Sequence, residues 1–285
     1  MQTLLELLKK SEEFLAKKGI SNPRLHAELL FAHALKCRRL DLYLQFERPM
    51  SEPEITTLRE MLVRRGKREP VQYITGETDF RNLTLKCDSR ALIPRPETEE
   101  LVDCVLARLA PPGTPARVLD LGTGTGAIAL SLASERAETS VVAADFSASA
   151  LDLARENFAK ISAGNATPPQ VEFVLSDWFS AISGTFDAIV SNPPYLTHAE
   201  LECAQAEVKN FEPHSALVAE NNGLADLEKI LRGARERLAD GGFVALETGI
   251  AHHDSLRALA AQLGFSSAES IADLSGRDRF FFAKK

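Results

Sequence analysis

Two periodicities divide the chain. Over residues 1–70 apolar residues recur at helical spacing. Leu4, Leu5, Leu7, Leu8 and Leu15 give one face of a first helix. Pro23 opens a second through Leu29, Leu30, Phe31 and Leu35. Ser51 followed by Glu54, with Pro53 between them, reads as a capping box that starts a third through Leu58, Met61 and Leu62. Short helices with short connections predict a small bundle. Tyr73–Gly76 and Leu83–Cys87 read as short strands around a turn, which makes 71–95 a β-hairpin linker. An amphipathic helix is expected over Glu99–Leu109, closed by Pro111-Pro112-Gly113.

From Arg117 the pattern alternates between short apolar runs and amphipathic stretches. Strands are predicted at Val118–Leu121, Val141–Asp145, Val171–Leu175, Phe186–Val190 and Phe243–Leu246. Helices are expected from Ala127, through Leu151 and Leu153, from Leu224 to Leu238, and through Leu256, Leu259 and Leu263. Alternation of this kind specifies a doubly wound, mostly parallel sheet. Two last strands, Ser267–Ile271 and Arg279–Phe282, have no helix between them and predict an antiparallel edge. Ala163–Gln170, with Gly164, Asn165, Pro168 and Pro169, reads as a loop. The expected organisation is a helical domain (1–70), a linker (71–95) and an α/β domain of seven strands (96–285).

Composition narrows the function. Apolar residues make up 45% of the 285, enough for a real core. The net charge of -7 disfavours a broad nucleic-acid surface. Residues 1–85 nonetheless carry roughly 15 Lys/Arg against roughly 12 Asp/Glu, and Arg64-Arg65-Gly66-Lys67-Arg68 reads as a solvated helix end. Cys37, Cys87, Cys104 and Cys203 form no C-x-x-C pair, so free thiols in a reducing compartment are expected and no metal site. No apolar stretch reaches membrane-spanning length and no signal peptide is recognisable, so a cytoplasmic, monomeric protein is expected.

Three strand ends carry the candidate chemistry. Gly122-Thr123-Gly124-Thr125-Gly126 joins the first strand of the α/β domain to its helix; glycines let a ligand approach the backbone, and helix-start N–H groups bind negative charge. Asp145 ends the next strand, placed to accept from ribose hydroxyls. The glycines alone fit a dinucleotide as well as S-adenosylmethionine. Asp177 and Trp178 follow the third strand, suited to the N6 amine and the face of an adenine, or else to a helix cap and a core aromatic. Asn192-Pro193-Pro194-Tyr195 ends the fourth. Neither proline can donate to a ladder, so the backbone there is stiff and extended. The Asn192 amide offers one acceptor oxygen and one NH2 donor, which suits a planar amino group.

With these motifs the chain resembles the class I S-adenosylmethionine-dependent methyltransferases, and more closely the protein-(glutamine-N5) methyltransferases that modify peptide chain release factors. The likeness runs through Gln72–Glu77 with Phe80, Leu92–Glu99, Leu119–Gly126, Asn192–Tyr195, Phe211-Glu212-Pro213 and Ser275–Arg279. Thr125, Phe211 and Thr248 depart from the usual Ser, Tyr and aliphatic residue. The resemblance implies S-adenosyl-L-methionine as cofactor, S-adenosyl-L-homocysteine as product, and a release factor as protein substrate, with no direct nucleic-acid partner. It implies cofactor contacts from Gly122 to Gly126, Asp145, Asp177, Trp178 and Asn192. It implies an acceptor site of Asn192, Pro193, Pro194 and Tyr195. The Asn192 oxygen and the Pro193 carbonyl would hold the amide nitrogen while Tyr195 packs on the amide plane. Arg95, Glu97 and Glu212 are candidates for ordering the loops around the site. Adenine or RNA amines present a chemically similar acceptor, so Asn192 alone does not exclude them.

Overall fold

The computed structural model describes residues 2–163 and 167–285. Gly164 and Asn165, expected in a loop, lie outside the described residues. The chain divides into two compact units, Met1–Glu77 with Gln205–Phe211, and Thr78–Ala204 with Glu212–Lys285.

In the first unit, α1 (Leu4–Lys17), α2 (Pro23–Leu35) and α3 (Glu52–Gly66) pack around Leu4, Leu8, Leu15, Phe31, Leu42 and Leu58. The Glu54 carboxylate accepts from both the backbone N–H (2.9 Å) and the hydroxyl (2.8 Å) of Ser51, closing the start of α3. Tyr73–Gly76 is not a strand. Val71–Thr75 forms one helical turn, α4, because Pro70 starts it and burial of Val71 and Ile74 three residues apart selects helical geometry. The basic run is not fully solvated either. Arg65 is only 2% exposed; its guanidinium donates to His26 Nδ1 (3.1 Å), the Glu69 carbonyl (3.1 Å) and Glu207 Oε1 (2.7 Å).

The second unit opens with the hairpin β1 (Glu77–Phe80) and β2 (Leu83–Lys86), shorter than the expected linker. Helix α5 (Pro96–Arg108) begins three residues before the sequence expectation, with Pro96 at its first position. Then follow β3 (Ala116–Leu121), α6 (Ala127–Glu135), β4 (Thr139–Asp145), α7 (Ala148–Ser162), β5 (Gln170–Leu175) and β6 (Phe186–Ser191). A short helix, α8 (His198–Cys203), and then α9 (Ala206–Phe211), which belongs to the first unit, precede α10 (Ala225–Arg237). The chain continues through β7 (Leu238–Glu247), α11 (His253–Gln262), β8 (Ser267–Ala272) and β9 (Asp278–Lys284). The seven strands run β5-β4-β3-β6-β7-β9-β8, with β9 antiparallel to both of its neighbours and the rest parallel. This is the doubly wound, mostly parallel sheet expected. Apolar residues from each face of the sheet build a separate core layer, one against α5 and α6 and the other against α10 and α11. The strand order reverses between β4 and β6 on either side of β3, which puts a crevice at the carboxyl ends of these strands.

Candidate functional site

A cavity of about 680 Å³ opens at that reversal, and every lining residue belongs to the second unit. It takes in Gly122, Thr123, Gly124, Thr125, Asp145, Asp177, Trp178, Asn192 and Pro194, so most of the residues singled out in the sequence share one space. Gly126, Pro193 and Tyr195 do not line it. Gly126 sits at the start of α6 with φ +84°, where a Cβ would press to 2.9 Å from Leu130. Pro193 is buried beside Asn192.

The glycine turn is shaped from below by acids. Asp120, one residue before the end of β3, is fully buried. Its Oδ2 accepts from Thr123 Oγ1 (2.6 Å) and the Ala129 N–H (3.2 Å), while Oδ1 has no hydrogen-bond partner among the described residues. Burial pushes its pKa up to about 7, with those two hydrogen bonds opposing. Asp145 accepts from the backbone N–H groups of Gly124 and Ser147, each at 2.9 Å. Its carboxyl is also raised, by burial first, against the pull of these N–H groups. The cap of α7 is Ser147, whose hydroxyl accepts from Ala150 N–H, so Asp145 is not needed there. Each Asp145 oxygen keeps a second lone pair for another donor.

The wall above the turn is aromatic. No helix follows Asp177, which is exposed. Trp178 adopts φ +46°, uncommon for a bulky residue, and is held there by the Ser176 hydroxyl donating to its carbonyl at 2.8 Å. Its ring lies against the open side of Gly122, 4.0 Å from where a Cβ would stand. Phe146, 58% exposed, adds a second aromatic on the lining. It is not among the residues expected above, though an aromatic straight after an acidic strand end was the available signal. An open glycine face, a carboxylate at the next strand end and flanking aromatics fit an adenosyl group.

The other end of the cavity is built on Asn192. Its Nδ2 donates to Thr98 Oγ1 (3.0 Å), and that hydroxyl donates to Glu247 Oε2 (2.7 Å). Tyr195 was expected to lie on the acceptor plane. Its hydroxyl donates to Glu247 Oε1 (3.3 Å), and burial raises its pKa further above the usual phenol range, with Glu247 adding to the effect. The Tyr195 backbone rests on a turn in which Asn221, Asn222 and Gly223 all have positive φ. A Cβ at Gly223 would stand 2.2 Å from the Tyr195 carbonyl oxygen, so only glycine fits. Leu196 then pairs with Val218, tying the start of the following segment to its end. Glu212 closes the same side. Its carboxylate accepts from Arg95 (2.6 Å) and from the Ile93 N–H (3.1 Å), which pins the Ile93–Thr98 segment over the cavity. Glu247 and Thr98 were not recognised as partners from sequence; they are 149 positions apart.

Among the described residues no group of acids, histidines and cysteines could hold a metal ion, and no helix is long and apolar enough to cross a membrane. Cys37, Cys87, Cys104 and Cys203 are all free.

Comparison with known proteins agrees with this geometry. Residues 6–76 match the PrmC N-terminal domain, and residues 98–248 match the methyltransferase small domain. A release factor glutamine methyltransferase from Salmonella typhimurium is 42% identical over 259 residues, covering 90% of this chain and 91% of its own. One from Rhodopirellula baltica is 36% identical, covering 99% and 96%. A methyltransferase from Pyrococcus furiosus shares the fold, with a TM-score of 0.53 at 19% identity over 72% of this chain and 89% of its own. With full-length relatives at this level of identity and a cavity that brings the glycine turn and Asn192 together, the chain belongs to the release factor glutamine methyltransferase family.

Proposed function

We propose that this protein methylates the side-chain amide nitrogen of a glutamine in a peptide chain release factor, with S-adenosyl-L-methionine as donor. The observation that carries the reading is the hydrogen bond of Asn192, a lining residue of the cavity: its NH2 end donates to Thr98, which leaves its oxygen as the end available to a ligand. An amide oxygen accepts from an N–H group, and a primary amide supplies one.

The glycine turn from Gly122 to Gly126, Asp145, Asp177 and Trp178 would hold the donor, with Asp145 accepting from ribose hydroxyls. When bound, S-adenosylmethionine supplies a methyl group activated by a sulfonium, which becomes a neutral thioether once the methyl has left. The chain's own task is placement. An amide nitrogen is a poor nucleophile because its lone pair is delocalised. In-line positioning contributes on the order of 7–11 kcal/mol in favourable cases. The Asn192 oxygen, with the Pro193 carbonyl from just outside the cavity lining, would accept from the two N–H groups, fix the nitrogen, and favour its pyramidalisation as positive charge develops. The methylated nitrogen is strongly acidic until it loses a proton, which water can take. No nucleophilic side chain is required.

Recognition of the protein substrate is assigned to the helices of residues 1–70, with 71–95 as linker and 96–285 as the methyl-transfer domain. The cavity is lined by the second unit alone, which leaves the helical unit free for that task. A nucleobase acceptor is not favoured, since the full-length relatives are named for release factors.

The test is incubation with labelled S-adenosylmethionine and, separately, release factor, RNA or DNA. Label on the glutamine amide of the release factor is expected; label on RNA alone overturns the reading. Asn192→Ala should abolish transfer while keeping donor binding, and near-full activity in that variant would remove Asn192 from its role.

A further inference from the structure

We propose that Thr98 and Glu247 are positioning residues that determine which end of the Asn192 amide faces the acceptor. This inference rests on the acceptor role given to Asn192 above. The two ends of an asparagine amide are nearly the same shape and opposite in hydrogen-bond sense. Turned by half a rotation, Asn192 would point a donor at the substrate N–H groups and repel them. Packing cannot choose between these poses; only hydrogen-bond partners can.

The choice is made by a chain of donors that ends on a carboxylate. Glu247 is 2% exposed and, when ionised, only accepts. Thr98, 4% exposed, has one hydroxyl proton and gives it to Glu247 Oε2 at 2.7 Å. Its oxygen can then only accept from the Asn192 side chain, whose one donor group is its NH2. From the other side, Arg279 Nη1 reaches the Tyr195 hydroxyl (3.5 Å), which leaves that hydroxyl to donate to Glu247 Oε1. Both carboxylate oxygens thus receive protons from opposite directions, and the sense of every bond between Arg279 and Asn192 is set. An apolar pair at 98 and 247 would fill the same space with no burial of charge, but it would leave the Asn192 amide free to turn.

Three variants test this. Thr98→Val keeps the shape and removes the relay. Thr98→Ser keeps the relay. Glu247→Gln offers one donor and one acceptor, so it no longer dictates direction. Thr98→Val and Glu247→Gln are expected to lower kcat on the order of 100-fold, with S-adenosylmethionine affinity by calorimetry unchanged. Thr98→Ser should recover most of the lost kcat. In protein labelled with 15N-asparagine, the Asn192 side-chain NH2 should exchange slowly with solvent in the parent and in Thr98→Ser, and quickly in Thr98→Val. The double variant Thr98→Val/Glu247→Gln should be no worse than the poorer single, because both break one relay. Wild-type kcat and slow exchange in Thr98→Val, or failure of Thr98→Ser to recover kcat, overturns the proposal. If Glu247→Gln does not fold, the two Thr98 variants decide alone. Activity retained in Asn192→Ala would instead overturn the acceptor reading; loss there with full activity in Thr98→Val overturns only the relay.

Discussion

The helical unit and the floor of the cavity support acidic groups in opposite ways, although Glu212 and Asp273 of the α/β unit also pair with arginines. In the helical unit each buried acid meets a cation. Glu28 accepts from Arg24 and from the Tyr43 hydroxyl, both at 2.6 Å, and Glu207 accepts from Arg65 and Arg68. Burial alone would raise both carboxyls; these partners outweigh it and hold both below the usual range. In the α/β unit Asp120, Asp145 and Glu247 lie around or beneath the cavity, supported by hydroxyls and backbone N–H groups. Burial wins there, and all three are raised. Paired charges secure a fold. Acids whose partners are neutral remain available to organise a ligand site, which is where perturbed groups concentrate.

The largest effect should come from breaking a pair in the helical unit. Arg65→Ala leaves Glu207 with Arg68 alone and removes the donor to His26, and is expected to destabilise that unit by about 3 kcal/mol in urea unfolding. Arg65→Met with Glu207→Gln should recover part of this, because no lone charge is left; equal losses in both variants would show that packing, rather than pairing, carries the contribution. Next comes Asp145→Ala. If Asp145 holds the donor, S-adenosylmethionine binding should weaken by about 1–3 kcal/mol, with stability changed less. Unchanged affinity would reduce the acid to a support for Gly124 and Ser147.

The smallest effects are in pH dependence, and the two units should differ in sign. Folded His26 stays neutral, its pKa lowered from 6.5 to about 4 by burial and then by Arg65. The unfolded chain binds the proton first, so stability from this group is present above pH 6.5 and is lost as pH falls toward 4. Asp120 behaves inversely. The folded state holds a proton that the unfolded chain releases near its ordinary pKa of about 4. Its contribution is therefore full below that value and is lost as pH rises through about 7. Comparing unfolding midpoints at about pH 5 and about pH 8, His26→Gln should flatten the acid-side loss and Asp120→Asn the loss above it. A shared sign for the two variants would refute the contrast.

Local chemistry explains what was legible in the sequence. Alternating apolar runs and their glycine or proline stops placed every strand of the large sheet, and strand ends pointed to the glycine turn, Asp145, Trp178 and Asn192. Val71–Thr75 misled because its β-branched and aromatic residues favour a strand, while the pairing of Val71 with Ile74 against the bundle favours one helical turn. The hydroxyl of Tyr195 faces Glu247 because that buried acceptor needs a donor, and no property of Tyr195 itself announces this. Thr98 and Glu247 meet only once α5 packs beside the end of β7. Arg65 read as one member of a basic run, although Glu207, its partner, comes from a segment far along the chain.

The order of strands at the sheet edge also constrains synthesis. Strand β9 is inserted between β7 and β8, although β8 precedes it in the chain. Until residues 278–284 have left the ribosome, β8 has no neighbour to pair with and the β7 edge stays uncovered. The nascent chain therefore carries an open sheet margin until its final strand arrives, and a stall just before that point exposes a surface on which chaperones or other unfinished chains can pair.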